Sequence, residues 1–170
     1  TLRKRSAGKV FPISLTISPI KDEFGKVIGA SQITRDITVE KEAEAKQAIL
    51  ASIIEASDDA IISKTLEGII TSWNLGAERI FGYKAEEAVG KPITILIPAE
   101  RLSEEEYILS TIKNGERIQH FKTTRLSKEG NEIPISLTVS PVKDKEGSII
   151  GISKIARNIS IEKLAEEKQA

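Results

Sequence analysis

Residues 8–48 of this chain recur at 130–170. GKVFPISLTISPIKDEFGKVIGASQITRDITVEKEAEAKQA aligns without a gap to GNEIPISLTVSPVKDKEGSIIGISKIARNISIEKLAEEKQA, at an offset of about 122 residues and with roughly half the positions identical. Pro12 matches Pro134, Ser18-Pro19 matches Ser140-Pro141, Gly25 matches Gly147, Gly29 matches Gly151 and Arg35 matches Arg157. Solenoid units repeat at about 20–50 residues, so this period belongs to whole domains in tandem. A chain of 170 residues has room for one full copy. The expected organisation is therefore the last three strands of a truncated first domain in 1–38, a connector helix in 39–57, a complete domain in 58–160 and the start of an outgoing helix in 161–170. The opening run Thr1-Leu2-Arg3-Lys4-Arg5 has no apolar signal core and is expected to be a cut inside a longer protein.

Charge and composition remove several classes of function. Lys plus Arg equals Asp plus Glu at 25 each, so the basic excess that drives nucleic-acid binding is missing and no nucleic acid is expected as partner. Without cysteine there are no disulfides, no thiolate catalysis and no Cys-ligated metal. His120 is the only histidine, so one chain cannot build a multi-His metal site. No apolar run reaches the ~20 residues of a membrane helix, so no direct membrane insertion is expected. The expected location is the cytoplasm, alone or as the cytoplasmic part of a membrane-anchored protein.

The pattern within one unit predicts α+β. Thr38 reads as the N-cap of a helix over 39–57, with Glu40 in its first turn. Its narrow apolar stripe, Ala43, Leu50, Ile53 and Ile54, suits either a solvated linker or a coiled-coil connector that pairs with itself. Ala60–Lys64 and Gly68–Trp73 read as a hairpin. Asn74 caps a short helix closed by Gly82, a second short helix stops at Gly90, and Pro92 opens a further turn. Ser103 with Glu106 reads as a capping box for a longer helix that ends at Asn114-Gly115. The acidic trio Glu104-Glu105-Glu106 is read as first-turn charge favoured by the helix dipole, in preference to a metal or catalytic site. Three strands follow, over 119–127, 133–140 and 148–159. The middle one alternates with period two, while the last has apolar residues on both parities, which a bulge or burial of both faces would reconcile.

Over about 49–160 these residues resemble the PAS family. The carriers are Ser57-Asp58-Asp59-Ala60-Ile61-Ile62, Trp73-Asn74 with Gly76-Ala77-Glu78-Arg79-Ile80-Phe81-Gly82-Tyr83, Glu86-Glu87-Ala88-Val89-Gly90-Lys91, His120-Phe121 and Lys128-Glu129-Gly130. Arg35-Asp36-Ile37-Thr38 resembles the family's Asp-Ile-Thr output signature in full, and Arg157-Asn158-Ile159-Ser160 departs from it at two positions. The resemblance implies a five-stranded antiparallel sheet with short helices on one face and a cavity between them. It implies a regulatory role, often in histidine kinases or cyclic-nucleotide enzymes, and dimers formed through flanking helices. It makes Asp36, Thr38, Asn158 and Ser160 the signal-transfer residues. Asn158 cannot form a charge-assisted bond, so the complete unit is expected to hold its outgoing helix less firmly than the first.

The same resemblance constrains the cavity. Cysteinyl-flavin photochemistry is excluded because there is no cysteine. Family haem sites place a histidine on the long helix, and 102–113 has none, so a His-ligated haem is not expected; the cofactor stays unknown. The expected lining is Trp73, Phe81, Ile93, Ile97, Tyr107, Phe121, Thr123, Leu137 and Ile152. Only Trp73, Tyr107 and Thr123 offer polar groups, so a filled core or a small apolar cavity is favoured over a cofactor site. His120 is expected on the face opposite Phe121, in a structural or interface role.

Function follows in two readings. One is a sensory and signal-relay module that couples binding of a small apolar ligand, or dimer rearrangement, to a downstream output domain. The other is a cofactor-free dimerisation and interaction module with a filled core. No nucleophile–base pair, P-loop or metal spacing points to an enzyme, so catalysis is expected outside this chain, in a kinase or cyclase domain. A homodimer through the connector helices and the truncated strands is expected; three strands alone cannot bury a core, so their apolar face is expected to find a partner, either a second chain or the complete domain.

Overall fold

The computed structural model describes residues 1–4 and 8–169. Arg5 and Ala170, the ends of the opening run and of the outgoing helix as read from the sequence, lie outside the described residues. The chain forms two units, Thr1–Ser52 and Ile53–Ala170.

The first unit holds β1 (Leu2–Lys4), β2 (Val10–Lys21), β3 (Val27–Asp36) and most of α1 (Thr38–Glu55). Its sheet runs β1-β2-β3, antiparallel throughout. Asp22 builds the β2–β3 turn by accepting from the amides of Phe24 and Lys26, and Asp144 builds its repeat counterpart by accepting from Glu146 and Ser148. The same local code thus gives the same hairpin twice. Burial differs sharply. Ile17 is 61% exposed, whereas its repeat partner Val139 is fully buried, because only the second unit carries the helices that cover this face. Among the described residues of the first unit, Ile13 alone is a buried hydrophobic.

The second unit contains β4 (Ala60–Lys64), β5 (Ile70–Trp73), α2 (Leu75–Phe81), α3 (Ala85–Ala88), 3-10 turns at Ile93–Leu96 and Ala99–Arg101, α4 (Ser103–Lys113), β6 (Ile118–Leu126), β7 (Glu132–Lys143), β8 (Ile149–Asn158) and α5 (Ser160–Gln169). The sheet has the order β5-β4-β8-β7-β6 and is antiparallel. One face packs on the helices through Ile62, Phe81, Ile108, Ile112, Ile135 and Val139, among others. The α+β architecture expected from the sequence is therefore present.

Asn74 caps α2 as read, accepting from the Ala77 amide, and Gly82 closes it in the left-handed region. Gly76, two residues past the cap, is where α2 meets the start of β4. A Cβ there would lie 2.2 Å from the Asp59 carbonyl oxygen and 2.7 Å from that of Ser57. Both are backbone atoms with little freedom to yield. Gly76→Ala is expected to cost about 3 kcal/mol, read as a lower urea midpoint at unchanged m-value. An unchanged midpoint would mean the helix can slide off the strand.

Local expectations needed correction at two helix starts. Thr38 is not the N-cap of α1. It is the first helical residue, and Asp36 supplies the oxygen, accepting from the Thr38 amide at 3.0 Å and its hydroxyl at 2.5 Å. Ser103 and Glu106 do not form a capping box. The 3-10 turn runs directly into α4 through Leu102, which already has helical dihedrals, so no extended residue precedes the helix. The two-phase pattern of β8 is resolved by a bulge. Val142 pairs with Gly151 and Lys143 with Ile149, which leaves Ile150 displaced and exposed. Beyond the bulge Ile152, Lys154 and Ala156 face inward.

Candidate functional site

The inward face of the sheet is not purely apolar. β4 presents Ala60, Ile62 and Lys64; β8 presents Ile152, Lys154 and Ala156; β6 presents Thr123 and Arg125. Register places Ile62 beside Lys154 and Lys64 beside Ile152. Lys64, Lys154 and Arg125 are each at most 4% exposed. Burial of three cations requires counter-charge, and α4 supplies it from its first turn. Glu105 receives Lys64 on one carboxylate oxygen and Lys154 on the other, the latter at 2.6 Å. Glu104 accepts from Arg125 Nη1 at 2.8 Å, from the Thr123 hydroxyl at 2.7 and 2.9 Å, and from Arg101 at 3.0 Å.

Electrostatics follow from this geometry. Burial pushes the Glu105 carboxyl up, but Lys154 and Lys64 outweigh it and hold the group below the usual carboxylate range. Burial also raises Glu104, and Arg125, Thr123 and Arg101 more than reverse that. Lys154 is the opposite case. Desolvation drives its ammonium down to about 8; Glu105 opposes this, while Lys64 and Arg125 reinforce it. One carboxylate shared with a second cation is too little to offset the burial of Lys154.

Beside this cluster lies a cavity of about 20 Å³. Phe81, Ile93 and Leu96 wall it from the helical side, Ile62, Leu137 and Ala156 from the sheet, and Arg125 and Lys154 border it. Of the expected lining, Phe81, Ile93 and Leu137 are in place. Trp73 is buried next to Phe81, with its indole N–H committed to the Tyr83 carbonyl at 3.0 Å. Ile97 and Ile152 are buried outside the lining. Thr123 serves Glu104. Phe121 is half-buried and packs on the core. Tyr107 is a correction: it is 54% exposed, lying on the outer side of α4 against the Phe121 ring at 6.2 Å. His120 is exposed with φ 52, inside a register shift between Ile118 and Phe121, so strict alternation does not operate there.

The cavity is small and mostly apolar, but the charges beside it were not expected from the sequence, and Glu104 and Glu105 do more than complement the helix dipole. A signal was available. Lys64, Lys154 and Arg125 each share parity with the inward residues of their strands, and Glu105 shares the i, i+3, i+7 stripe of Ile108 and Ile112.

The cluster also reaches the outgoing helix. Arg101 and Thr123, both bonded to Glu104, line an open cleft of about 240 Å³ whose other wall is Pro134 with Ile159, Glu162 and Lys163 at the start of α5. At the head of α5, Asn158 accepts from the Ser160 amide at 2.9 Å and hydroxyl at 2.6 Å, the arrangement that Asp36 makes with Thr38. Arg157 grips Asp59 with two bonds, at 3.0 and 3.2 Å, tying the end of β8 to the chain entering β4. Asn158→Asp adds negative charge at the helix start and is expected to slow amide exchange in α5 by about twofold to fivefold. Unchanged exchange would show that the neutral oxygen already suffices.

Comparisons with known proteins agree with the fold. Residues 48–159 match the family model described as PAS fold, and residues 1–39 match one described as PAS domain. Sensor protein FixL of Bradyrhizobium diazoefficiens is 36% identical over 132 residues, 73% of this chain and 26% of that protein. The signal transduction histidine-protein kinase AtoS of Escherichia coli is 28% identical over 120 residues, 69% of this chain and 19% of its own. The crystal structure of a PAS domain from Colwellia psychrerythraea superposes with a TM-score of 0.61 at 27% identity, covering 69% of this chain and 98% of that one. The chain spans about a quarter or less of these curated relatives. Among the described residues no helix is long and apolar enough to cross a membrane. PAS domains are in general non-catalytic sensory modules, and kinases that contain them hold catalysis in other domains. With its five-stranded sheet, its helical cover and these matches, this chain belongs to the PAS family and is a sensory module of signal transduction.

Proposed function

We propose that this chain senses through the charged interior of its second unit and relays the change to α5 and a downstream output domain. Glu105 carries the reading. One side chain ties α4 to two central strands, so any change of charge or occupancy beside it alters how helix and sheet are held together. Two routes lead outward. One runs from Glu104 through Arg101 and Thr123 to the cleft beside α5, and the other runs along β8 from Lys154 to Asn158 and Ser160. We further infer a homodimer that pairs through α1 and through the exposed strands of 1–38, the C-terminal half of a first PAS domain. Among the described residues α1 buries none, and Val39, Ile49, Leu50, Ile53 and Ile54 are 42–75% exposed on it. The reading places the module in the cytoplasm, without catalysis of its own.

A cofactor-free dimerisation module is the second reading, favoured by a cavity that has room for little more than one water-sized group. Native mass spectrometry of the freshly purified chain, with a visible absorbance scan, separates the two. Extra mass or absorbance supports sensing by a held ligand. A clean apo dimer favours the second reading, and a monomer contradicts the dimer in both.

A further inference from the structure

Arg125 is satisfied on one side only. Its Nη1 donates to Glu104 at 2.8 Å, to the Thr123 hydroxyl at 3.1 Å and to the Thr124 carbonyl at 2.8 Å. Its Nη2 is fully buried and meets no protein acceptor, the one such side-chain nitrogen or oxygen among the described residues. Leaving a charged donor unmet in a low-dielectric interior is costly, so such atoms mark a missing acceptor. Charge points the same way. Lys64, Lys154 and Arg125 face only Glu104 and Glu105, and Glu104 is shared with Arg101 as well, so the cations outnumber the carboxylates in a place shielded from water. The cavity that Arg125 and Lys154 border is otherwise apolar, and its volume of about 20 Å³ accommodates one water-sized group.

We propose that this cavity binds one small monovalent anion, a halide or formate, on Arg125 Nη2 with Lys154 alongside. The anion supplies the missing acceptor through a charge-assisted bond and neutralises the excess charge. Size excludes longer acids, because the apolar walls leave no space behind the head group. The inference rests on the sensory reading and names the ligand of the same site. Lys154, faced by Lys64, Arg125, Glu104 and Glu105, gains a further counter-charge when the anion is bound, so binding retains its proton and weakens as pH rises above about 8.

The test uses the full chain in chloride-free sodium gluconate at constant ionic strength, titrated with sodium chloride, sodium formate or sodium butyrate. The thermal midpoint is followed throughout. A saturable rise with chloride or formate and none with butyrate is expected, and comparison of the first two separates a halide source from an organic acid. Arg125→Gln should weaken the effect by about tenfold or more. Because that variant also removes one of Glu104's partners, Ala156→Val is measured beside it, filling the cavity without touching a charge. The saturable rise should vanish in Ala156→Val. Crystals grown with bromide should show an anomalous peak within about 3.5 Å of Nη2. No rise beyond gluconate, or a rise that persists in Ala156→Val with no bromide peak, overturns the proposal. If the anions fail while the native mass spectrum carries another bound molecule, the sensory reading stands and only the anion falls.

Discussion

Glu105→Ala is expected to lose about 3–5 kcal/mol of folding stability at pH 7, a large share of what a domain of this size possesses. Among the described residues Glu105 is the ion-pair partner of both Lys64 and Lys154, and both are almost wholly buried. Its removal strands two ammonium groups beside Arg125. Lys154, already near 8, escapes by giving up its proton, so the deficit is expected to shrink as pH is raised toward 9.5. In the wild type the signs follow from linkage. The folded pKa of Glu105 is below its ordinary 4.5, so its contribution is present above about pH 4.5 and is lost as pH falls through the folded value. Lys154 has a folded pKa near 8 against 10.5 unfolded, so between these values the unfolded chain holds more protons and this group's contribution to stability rises with pH. Lys154→Met leaves the Lys64–Glu105 pair intact and is expected to be close to neutral. Urea unfolding of the three proteins at pH 7 and 9.5 checks all of this. A loss below about 1 kcal/mol for Glu105→Ala would place the cluster among solvated surface pairs.

Asn74→Ala should be nearly as damaging, at about 3–5 kcal/mol. The side chain is 2% exposed and every hydrogen-bonding position is used. Its oxygen accepts from the amides of Ile61 and Ala77, and its nitrogen donates to the carbonyls of Ile54 and Asp59. One residue therefore caps α2, anchors the start of β4 and holds the last turn of α1. Asn74→Asp keeps both acceptances but sets an oxygen against two carbonyl oxygens, so it should recover little. Calorimetry gives the stability, and hydrogen exchange at 53–57 should speed up in both variants. Retention of full stability in Asn74→Asp would show that capping alone accounts for the residue.

The framework was legible because its signals are local. Asp22 and Asp144 write their turns in five residues, Asn74 and Gly82 bracket a helix in nine, and the repeat fixes the period. The interior was not, because charge in a sequence is ordinarily read as solvated. Lys64 and Lys154 are 90 positions apart and Glu105 lies between them; only the β4–β8 pairing and the approach of α4 bring them to one point. Each carries half of a contact, and neither half is apolar. Tyr107 was misplaced for a related reason. It is the aromatic of α4, but the inward stripe begins at Glu105, and Tyr107 falls off it. His120 escaped strand alternation because a bulge cannot be read from parity when the flanking residues are polar.

The charged interior is the point on which the rest depends, and the Lys154 ammonium reports it directly. Nitrogen-15 NMR of the lysine side chains, assigned with Lys154→Met and titrated from pH 6 to 11, gives its midpoint. A transition near 8, well below 10.5, is the result this structure predicts. A midpoint at the ordinary 10.5 would mean that Lys154 sits in water, and that the interior of this PAS domain holds no cationic site.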